Sequence, residues 1–336
     1  MTERQGGLRV ALFLFAYAVT MAHTPVMAST WSFGRIGHEA AWPALAAGGT
    51  ALDAMFAALW AIEVDPRVDS VGVGGIPDAS GTMSLDGAVM LSPAKWASVC
   101  GVESTGAPSA ICRALLEDFD RSLRVGRGAD AYAAHRGVEC VDPWSDGARK
   151  FWEVTKSQVS SPHAQHPFTI PIVDDDSGAL FPSDERQWSR HDTIGTLVLD
   201  ADGTLCAGTS TSGTPLKPVG RVGDSAILGQ GLYTLPGVGA AVATGTGELI
   251  ASTCLSYDVI SRLASSGDAV AAVRGALEFS MSQMTPRPDE QIAVVCLTAT
   301  GEVASAALRP GFRVAVMGEA GAAYREVDWV GEGSSR

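Results

Sequence analysis

The 336-residue chain contains no asparagine. It therefore has no N-x-S/T acceptor, and N-glycosylation is closed to it. Positive charge is scarce as well: 24 Lys and Arg stand against 37 Asp and Glu, a formal net charge of −13. Without a block of Lys and Arg the basic footprint needed for nucleic acid or an anionic membrane surface is missing, so a small-molecule substrate is the expected partner. The six cysteines (Cys100, Cys112, Cys140, Cys206, Cys254 and Cys296) are scattered, with no C-x-x-C and no histidine at zinc spacing, which excludes a structural zinc site. No G-x-S-x-G occurs, so the strand–turn–helix nucleophile elbow has no candidate. Gly229-Gln230-Gly231 and Gly237-Val238-Gly239 lack the third glycine of a dinucleotide loop, and His163 and His166 lack a carboxylate-backed third ligand. A disordered composition is absent too, since 46% of the residues are hydrophobic and 18% charged. Such a chain folds around a core of useful size, in one large unit or two.

Long apolar runs are also lacking, with one exception. Arg4 and Arg9 precede an uncharged stretch from Val10 to Ala22, and Val26-Met27-Ala28 follows it. This run is shorter than the roughly 20 residues that cross a bilayer. Its flanks are those of a secretory signal peptide, residues 1–28, with cleavage expected after Ala28. Removal would leave no membrane attachment. The expected home is the secretory pathway, with lysosomal or vacuolar, secreted and periplasmic destinations all open. Export would permit some cysteines to pair, in a connectivity that sequence does not define.

From Gly37 to Val64 an Ala- and Leu-rich pattern broken at Gly48-Gly49 predicts two consecutive helices. Val71 to Leu91 turns Gly-rich and alternating, predicting strands with a tight turn at Asp86-Gly87. Helical texture returns over Ser109–Leu123, Ala129–Arg136 and Asp146–Gln158. Residues 158–190, with Pro162, Pro167, Pro171, Pro182 and the acidic run Asp174-Asp175-Asp176, have no hydrophobic period and are expected to form a mobile surface linker. An apolar hairpin follows, Thr193–Leu199 and Thr204–Gly208, turning at Asp202-Gly203. Ala240–Ser252 is a strand candidate, Ser256–Ser282 two helices split at Ser266-Gly267, and Gln291–Met317 a strand, turn and strand. Two helix blocks and two sheet blocks spread over both halves point to a layered α+β fold.

The sharpest local feature is His191-Asp192-Thr193-Ile194-Gly195, where the linker meets that hairpin. A threonine hydroxyl is a weak nucleophile and needs a base, and a threonine at a chain terminus has one in its own α-amino group. That amine, with a reference pKa of about 7.7–8.0, is partly neutral near pH 7–8. Exposing it requires a cut between Asp192 and Thr193. The Thr193 hydroxyl can make that cut by attacking the Asp192 carbonyl, after which water hydrolyses the resulting ester. Dense motifs follow: Gly208-Thr209-Ser210-Thr211-Ser212-Gly213, Lys217, Gly220-Arg221-Val222-Gly223-Asp224-Ser225, and Ala243-Thr244-Gly245-Thr246-Gly247-Glu248. Thr30-Trp31-Ser32-Phe33, Glu39-Ala40-Ala41-Trp42, Gly48–Ala54 and Gly72-Val73-Gly74-Gly75-Ile76-Pro77-Asp78 precede them.

In this order the motifs resemble the glycosylasparaginases of the N-terminal nucleophile hydrolase superfamily, over all of the mature chain except about residues 100–189. The resemblance implies a four-layer αββα sandwich of two antiparallel sheets with helices outside. Self-cleavage would divide it into an α-subunit, residues 29–192, and a β-subunit, residues 193–336, associated as a dimer of αβ heterodimers. No metal or organic cofactor is implied. Thr193 would be nucleophile and N-terminal base, with Thr211 supporting it. Arg221 would hold the substrate α-carboxylate as a bidentate pair and Asp224 the α-ammonium group. Thr244 and Gly245 would form the oxyanion hole, and Trp31 would line the substrate pocket. The implied reaction is hydrolysis of the amide between an asparagine side chain and N-acetylglucosamine, or of free asparagine, through a β-aspartyl ester on Thr193. Plant-type asparaginases and isoaspartyl peptidases share this logic but usually carry Gly before the threonine, so Asp192 favours the glycosylasparaginases. One departure stands out: after Gly74-Gly75 the family places a serine that touches the nucleophile's amine, and this chain has Ile76. Together with Arg190 just before the site, it keeps open a non-enzymatic binding protein that retained the fold.

Overall fold

The computed structural model describes residues 23–163 and 193–330. The apolar run Val10–Ala22, Asp192 and most of the expected linker lie outside the described residues. The first segment holds β1 (Val26–Thr30), α1 (Gly34–Ala46), α2 (Ala51–Glu63), β2 (Leu85–Ser92), β3 (Lys95–Val102), α3 (Pro108–Asp118), β4 (Arg121–Val125), α4 (Gly126–Arg136) and α5 (Asp146–Thr155). The second holds β5 (Ile194–Leu199), β6 (Leu205–Thr211), β7 (Leu232–Leu235), β8 (Gly239–Gly245), α6 (Gly247–Ser252), α7 (Leu255–Ser266), α8 (Ala269–Gln283), β9 (Ile292–Thr298), β10 (Val303–Ala307), β11 (Arg313–Gly318) and β12 (Gly321–Glu326).

Eight strands form one sheet in the order β12-β11-β1-β5-β6-β2-β3-β4, and four form a second, β10-β9-β8-β7. The large sheet is antiparallel except at its β3–β4 edge, which is parallel. That corrects the expectation of two wholly antiparallel sheets. The two chain segments interleave, since β1 lies between β11 and β5 and β2 lies beside β6. The large sheet thus draws strands from both segments, whereas the small sheet belongs wholly to the second.

Side-chain alternation assigns the faces. On β5, Thr196 bonds Ser29 (3.0 Å), whose hydroxyl bonds His38 of α1 (2.8 Å), so even-numbered residues face the helices. Burial pulls the His38 pKa down to about 3 and keeps the ring neutral. Odd-numbered residues face the small sheet. There Gly195 lies so close that a Cβ on it would sit 2.6 Å from Val242 Cβ. On β8 and β9, Ala240, Val242, Val295 and Leu297 join the core shared with the large sheet. Ala241, Ala243, Val294 and Cys296 pack outward against Val259, Leu263, Val273 and Leu277 of α7 and α8. Two apolar cores thus flank the small sheet.

Several local expectations change. Asp86-Gly87 is no turn: both residues lie within β2, the Asp86 carboxylate accepts from Gly101 N–H at 2.7 Å, and the chain reverses at Pro93-Ala94. Gly72–Gly74 forms a 3₁₀ turn, not a strand, and the expected Ser109–Leu123 helix stops at Asp118, with β4 beginning at Arg121. Residues 291–317 hold three strands. The expected cleavage after Ala28 falls inside a strand: it would remove Val26, Met27 and Ala28 from β1, where they pair with β11 or β5 on either side and Met27 and Ala28 are fully buried. All six cysteines are free thiols.

Two outcomes follow. N-terminal sequencing of protein made in an exporting host should place the mature start before Val26; a start at Ser29 in active, folded protein would contradict the sheet. Gly195→Ala should cost about 1–3 kcal/mol in denaturant unfolding, because its methyl meets a β-branched side chain with no room to yield. Adding Val242→Ala should recover part of that loss, whereas additive losses would mean the two residues do not collide.

Candidate active site

Thr193 stands at the entrance to β5, 4% exposed, with the same parity as Gly195 and therefore in the gap between the sheets. Two residues along β8 from Val242 comes Thr244, again on the inter-sheet face. The Gly195–Val242 contact thus leads in each strand to a threonine. Strand β1 fixes both. Thr30 Oγ1 donates to the Thr193 carbonyl (2.9 Å) and accepts from Gly195 N–H (2.8 Å). The next residue, Trp31, adopts a left-handed backbone (φ 62°), and its indole Nε1–H donates to Thr244 Oγ1 (3.0 Å). Such a φ costs a non-glycine residue about 1–3 kcal/mol unless packing over-determines it. Here the ring is buried edge-to-face on Phe312, centroids 4.9 Å apart. Because the indole occupies a lone pair of Thr244 Oγ1, the Thr244 hydroxyl proton is free to donate into the gap.

Beyond Thr193 lies the loop 224–226. Ser225 Oγ is 2.6 Å from Thr193 Oγ1. The loop's carbonyls are tied down: Thr209 Oγ1 donates to Ser225 O (2.6 Å), Ser98 Oγ to Ala226 O, and the N–H groups of Ile227 and Gly231 to Asp224 O. Asp224 is fully buried, and its Oδ2 has no hydrogen-bond partner among the described residues. Burial pushes its pKa up to about 7. The Arg221 guanidinium opposes that rise, and the Glu248 and Asp86 charges add to it. Arg221 presents its Nε and Nη2 edge to Glu248, both bonds 2.9 Å. That side-on fork is thus filled by the protein, and a further carboxylate has the Nη1 end of the group to approach. A Cβ on Gly247 would sit 2.8 Å from Asp224 Oδ1 and 3.1 Å from Arg221 Nη2, so glycine there keeps the space between carboxylate and guanidinium clear. Gly245, at φ 118°, passes against the Gln291 carbonyl where any Cβ would collide.

Thr211 occupies the β6 position beyond the Ile194–Ser210 pair, across from Thr193, and its hydroxyl accepts from Gly213 N–H at 2.9 Å. Ile76, in the place of the family serine, packs with Phe151 and Leu216, and its backbone N–H donates to Ser212 Oγ at 3.1 Å. Of the expected residues, Thr193, Trp31, Thr211, Thr244, Gly245, Arg221 and Asp224 are all described, and Asp192 is not. Trp31 is 1% exposed and acts on Thr244 instead of presenting an open pocket wall.

Sequence reasoning gave no role to Thr30, Ser225 or Glu248, although each lies inside a quoted motif; a motif does not say which way a hydroxyl points. Glu63 and the buried Lys217 also escaped it. Glu63 accepts from Ser109 and from Ser210 Oγ (2.7 Å) behind β6, and burial pushes its pKa up to about 7. Lys217 Nζ donates to Ser84 O at 2.8 Å and lies 3.9 Å from Asp86, while burial pulls its pKa down.

A family model described as Asparaginase matches residues 14–324. The N(4)-(beta-N-acetylglucosaminyl)-L-asparaginase of Elizabethkingia miricola is 32% identical, with 88% of this chain and 82% of that protein covered. This chain belongs to the asparaginase family of N-terminal nucleophile hydrolases. The mouse enzyme of the same name is 30% identical, over 90% of this chain and 91% of its own. An isoaspartyl peptidase of Escherichia coli K12 is 33% identical, over 64% of this chain and 63% of its own.

The raised Asp224 pKa carries a stability consequence. Its folded value, about 7, lies above the ordinary value of 3.8, so the folded protein holds this proton more tightly than the unfolded chain. Ionising the carboxyl costs stability as pH rises from about 4 to about 7. Asp224→Asn should therefore be more stable than the wild type by about 1–3 kcal/mol at pH 8. The gap should shrink toward pH 4 in urea unfolding. Equal stabilities at both pH values would show that the buried carboxylate is not strained.

Proposed function

We propose that this protein is an amidohydrolase that activates itself by cleavage between Asp192 and Thr193. Its substrate is N4-(β-N-acetylglucosaminyl)-L-asparagine, hydrolysed through a β-aspartyl ester on Thr193. The observation that carries this reading is that the Thr193 and Thr244 hydroxyls share the inter-sheet gap with Asp224 next along the loop, whose Oδ2 has no hydrogen-bond partner among the described residues, beside Arg221. In the intact chain the Thr193 nitrogen is a peptide amide and no base. The hydroxyl first attacks the Asp192 carbonyl, the C–N bond breaks, and water hydrolyses the ester to free a carboxylate and an α-amine. Interleaving of the two segments in one sheet keeps the α- and β-subunits together afterwards; the four-layer αββα arrangement and the dimer of heterodimers are the part of the proposal that rests on the family resemblance.

In turnover, Asp224 receives the substrate ammonium and the Nη1 end of Arg221 its carboxylate, a pair that selects a free amino acid end. Thr193 Oγ1 attacks the side-chain amide carbon while its proton passes to the neighbouring α-amine. The oxygen of the tetrahedral adduct faces Thr244 and Gly245, and the donor capacity left free on Thr244 by Trp31 suits it to that charge. Collapse breaks the C–N bond, the α-ammonium protonates the departing glycosylamine, and water then releases aspartate from the ester. The names of the Elizabethkingia and mouse relatives support the glycosylated substrate. Asp192, in place of the glycine usual in the alternatives, supports it too. The similarity to an isoaspartyl peptidase supports a second reading, in which β-aspartyl dipeptides or asparagine are the preferred substrates. Ile76 is the feature that favours a binding protein without turnover. A leader ending before Val26 would place the enzyme in the secretory pathway. No helix among the described residues is long and apolar enough to cross a membrane.

Intact mass under denaturing conditions tests this directly. Wild type should give two fragments, the C-terminal one beginning at Thr193, and should hydrolyse glycosylasparagine; Thr193→Ala should stay a single inactive chain. Since ammonium binding needs Asp224 ionised and attack needs the Thr193 α-amine neutral, kcat/KM should fall steeply below pH 7, toward about a hundredfold per unit. A stable uncut wild type would overturn the hydrolase reading. Turnover of β-aspartyl dipeptides with none of glycosylasparagine would shift it to the peptidase.

A further inference from the structure

We infer that Ser225 is a further catalytic residue. Its hydroxyl holds the nucleophilic oxygen of Thr193 in its attacking orientation and donates to that oxygen when it leaves the β-aspartyl ester. The inference rests on the Thr193 reading above and deepens it.

Ser225 Oγ and Thr193 Oγ1 are 2.6 Å apart, a short hydroxyl–hydroxyl contact, with both residues buried. Among the described residues it is the side-chain hydrogen bond to that oxygen. Thr30 Oγ1 is committed to Thr193 O and Gly195 N–H and Thr209 Oγ1 to Ser225 O, while Thr244 Oγ1 accepts from the Trp31 indole and keeps its proton for the substrate oxygen. Ser225 is itself held rigidly. The carbonyls of Asp224, Ser225 and Ala226 each accept a bond from β6, β3 or the following turn, so its hydroxyl is aimed before any substrate arrives. It also follows directly on Asp224. The groups proposed to receive the substrate ammonium and to orient the nucleophile are consecutive residues of one pinned loop.

The proton count fixes the direction of the bond. Thr193 Oγ1 carries one proton, which must pass to the α-amine as the O–C bond forms. Its oxygen uses one lone pair to attack, and the second can accept from Ser225. In the ester Oγ1 has no proton, so Ser225 is necessarily the donor. When water adds, passing a proton to the neutral α-amine, and the C–Oγ1 bond then breaks, negative charge gathers on Oγ1 until the α-ammonium so formed protonates it. The Ser225 O–H stabilises that charge. Ser225 keeps its own proton throughout, and the same contact serves the self-cleavage step, whose nucleophile is the same oxygen.

Ser225→Ala and Ser225→Thr, purified as the full chain, test this against wild type. For Ser225→Ala we expect a cooperative melt, slower self-cleavage and kcat lower by about 10- to 100-fold with KM within about twofold. We also expect a β-aspartyl adduct on the Thr193 fragment in quenched intact-mass spectra. Ser225→Thr, which keeps the hydroxyl, should recover most of the rate. A folded Ser225→Ala that never cuts itself supports the inference in the same way, because its nucleophile is the oxygen in question. If Ser225→Ala does not fold, Ser225→Cys, isosteric with a weaker donor, decides by a reduced rate or an undiminished one. Wild-type rates without adduct in an active background overturn the inference. So do equal losses in the alanine and threonine variants, which would trace the effect to loop shape. Inactivity of wild type itself would instead sink the hydrolase reading, so the two failures are separable.

Discussion

The constraint on which the site depends is the close approach of two sheets at Gly195 and Val242. Sheets normally pack about 10 Å apart through interdigitated side chains; here one partner has no side chain, and β5 and β8 come together. Beyond that point the inter-sheet faces carry Thr193 and Thr244 instead of apolar residues. Apolar packing continued to the strand ends would leave no polar gap, and hydroxyls without the close approach would fall too far apart to act on one carbonyl. The Thr30–Trp31 dipeptide converts proximity into geometry. Thr30 bonds the backbone on either side of Ile194, and Trp31, turned through a left-handed conformation, bonds Thr244. One residue clamps the strand that follows Thr193 and its neighbour the strand that carries Thr244, so the relative position of the two is set by the single peptide unit that ends β1.

A second constraint is electrostatic. Asp224, Glu63, Lys217 and Asp86 are buried, and burying charge without full pairing is costly. Glu63 is compensated by three donors from Ser109 and Ser210, and Lys217 by a carbonyl and Asp86. Asp224 is not: one oxygen lacks a partner among the described residues while Arg221 is turned to Glu248. The difference separates structure from function. Charges that brace the strands are satisfied within the protein, whereas the charge expected to meet an ammonium group is left to be satisfied by it. Arg221 shows the same division within one side chain, with its side edge fixed by Glu248 and its Nη1 end uncommitted to it.

Much of this was legible in the sequence, and the exceptions share a physical cause. Helices α1 and α2, split at Gly48-Gly49, and α7 and α8, split at Ser266-Gly267, follow their periodicity and breakers. The β5–β6 hairpin follows its apolar run and Asp202-Gly203 turn. Strand β1 was hidden because Val-Met-Ala is what both a cleavage site and a tightly packed central strand select, and only the partners β5 and β11, more than 160 residues away, distinguish them. Asp86-Gly87 has hairpin chemistry but sits mid-strand, its carboxylate held by Gly101, a contact no local pattern encodes. In the site, Thr193, Arg221, Asp224 and Thr244 stood out through motif order. Ser225 and Thr30 did not, because their importance lies in which side of a strand or loop the hydroxyl leaves, and that is decided by packing between distant segments.

Ile76 stands where the resemblance to the family expects a serine. A serine beside the nucleophile's amine would be one hydroxyl among several in this gap. The isoleucine that replaces it is absorbed by Phe151 and Leu216, which removes it from the polar network without burying an unpaired group. Its backbone N–H is satisfied by Ser212, whose hydroxyl in turn donates to Ser70 O. The segment Gly74-Gly75-Ile76 therefore stays anchored to the end of β6 by main-chain bonds that do not depend on residue 76. What the substitution takes from the site is one polar contact. What it leaves is the Thr30–Trp31 clamp, the Ser225 contact and the Asp224–Arg221 pair, none of which passes through Ile76. The chemistry that remains rests on groups fixed by the two sheets, and the orientation of a freed Thr193 amine would then fall to the neighbouring β6 hydroxyl of Thr211.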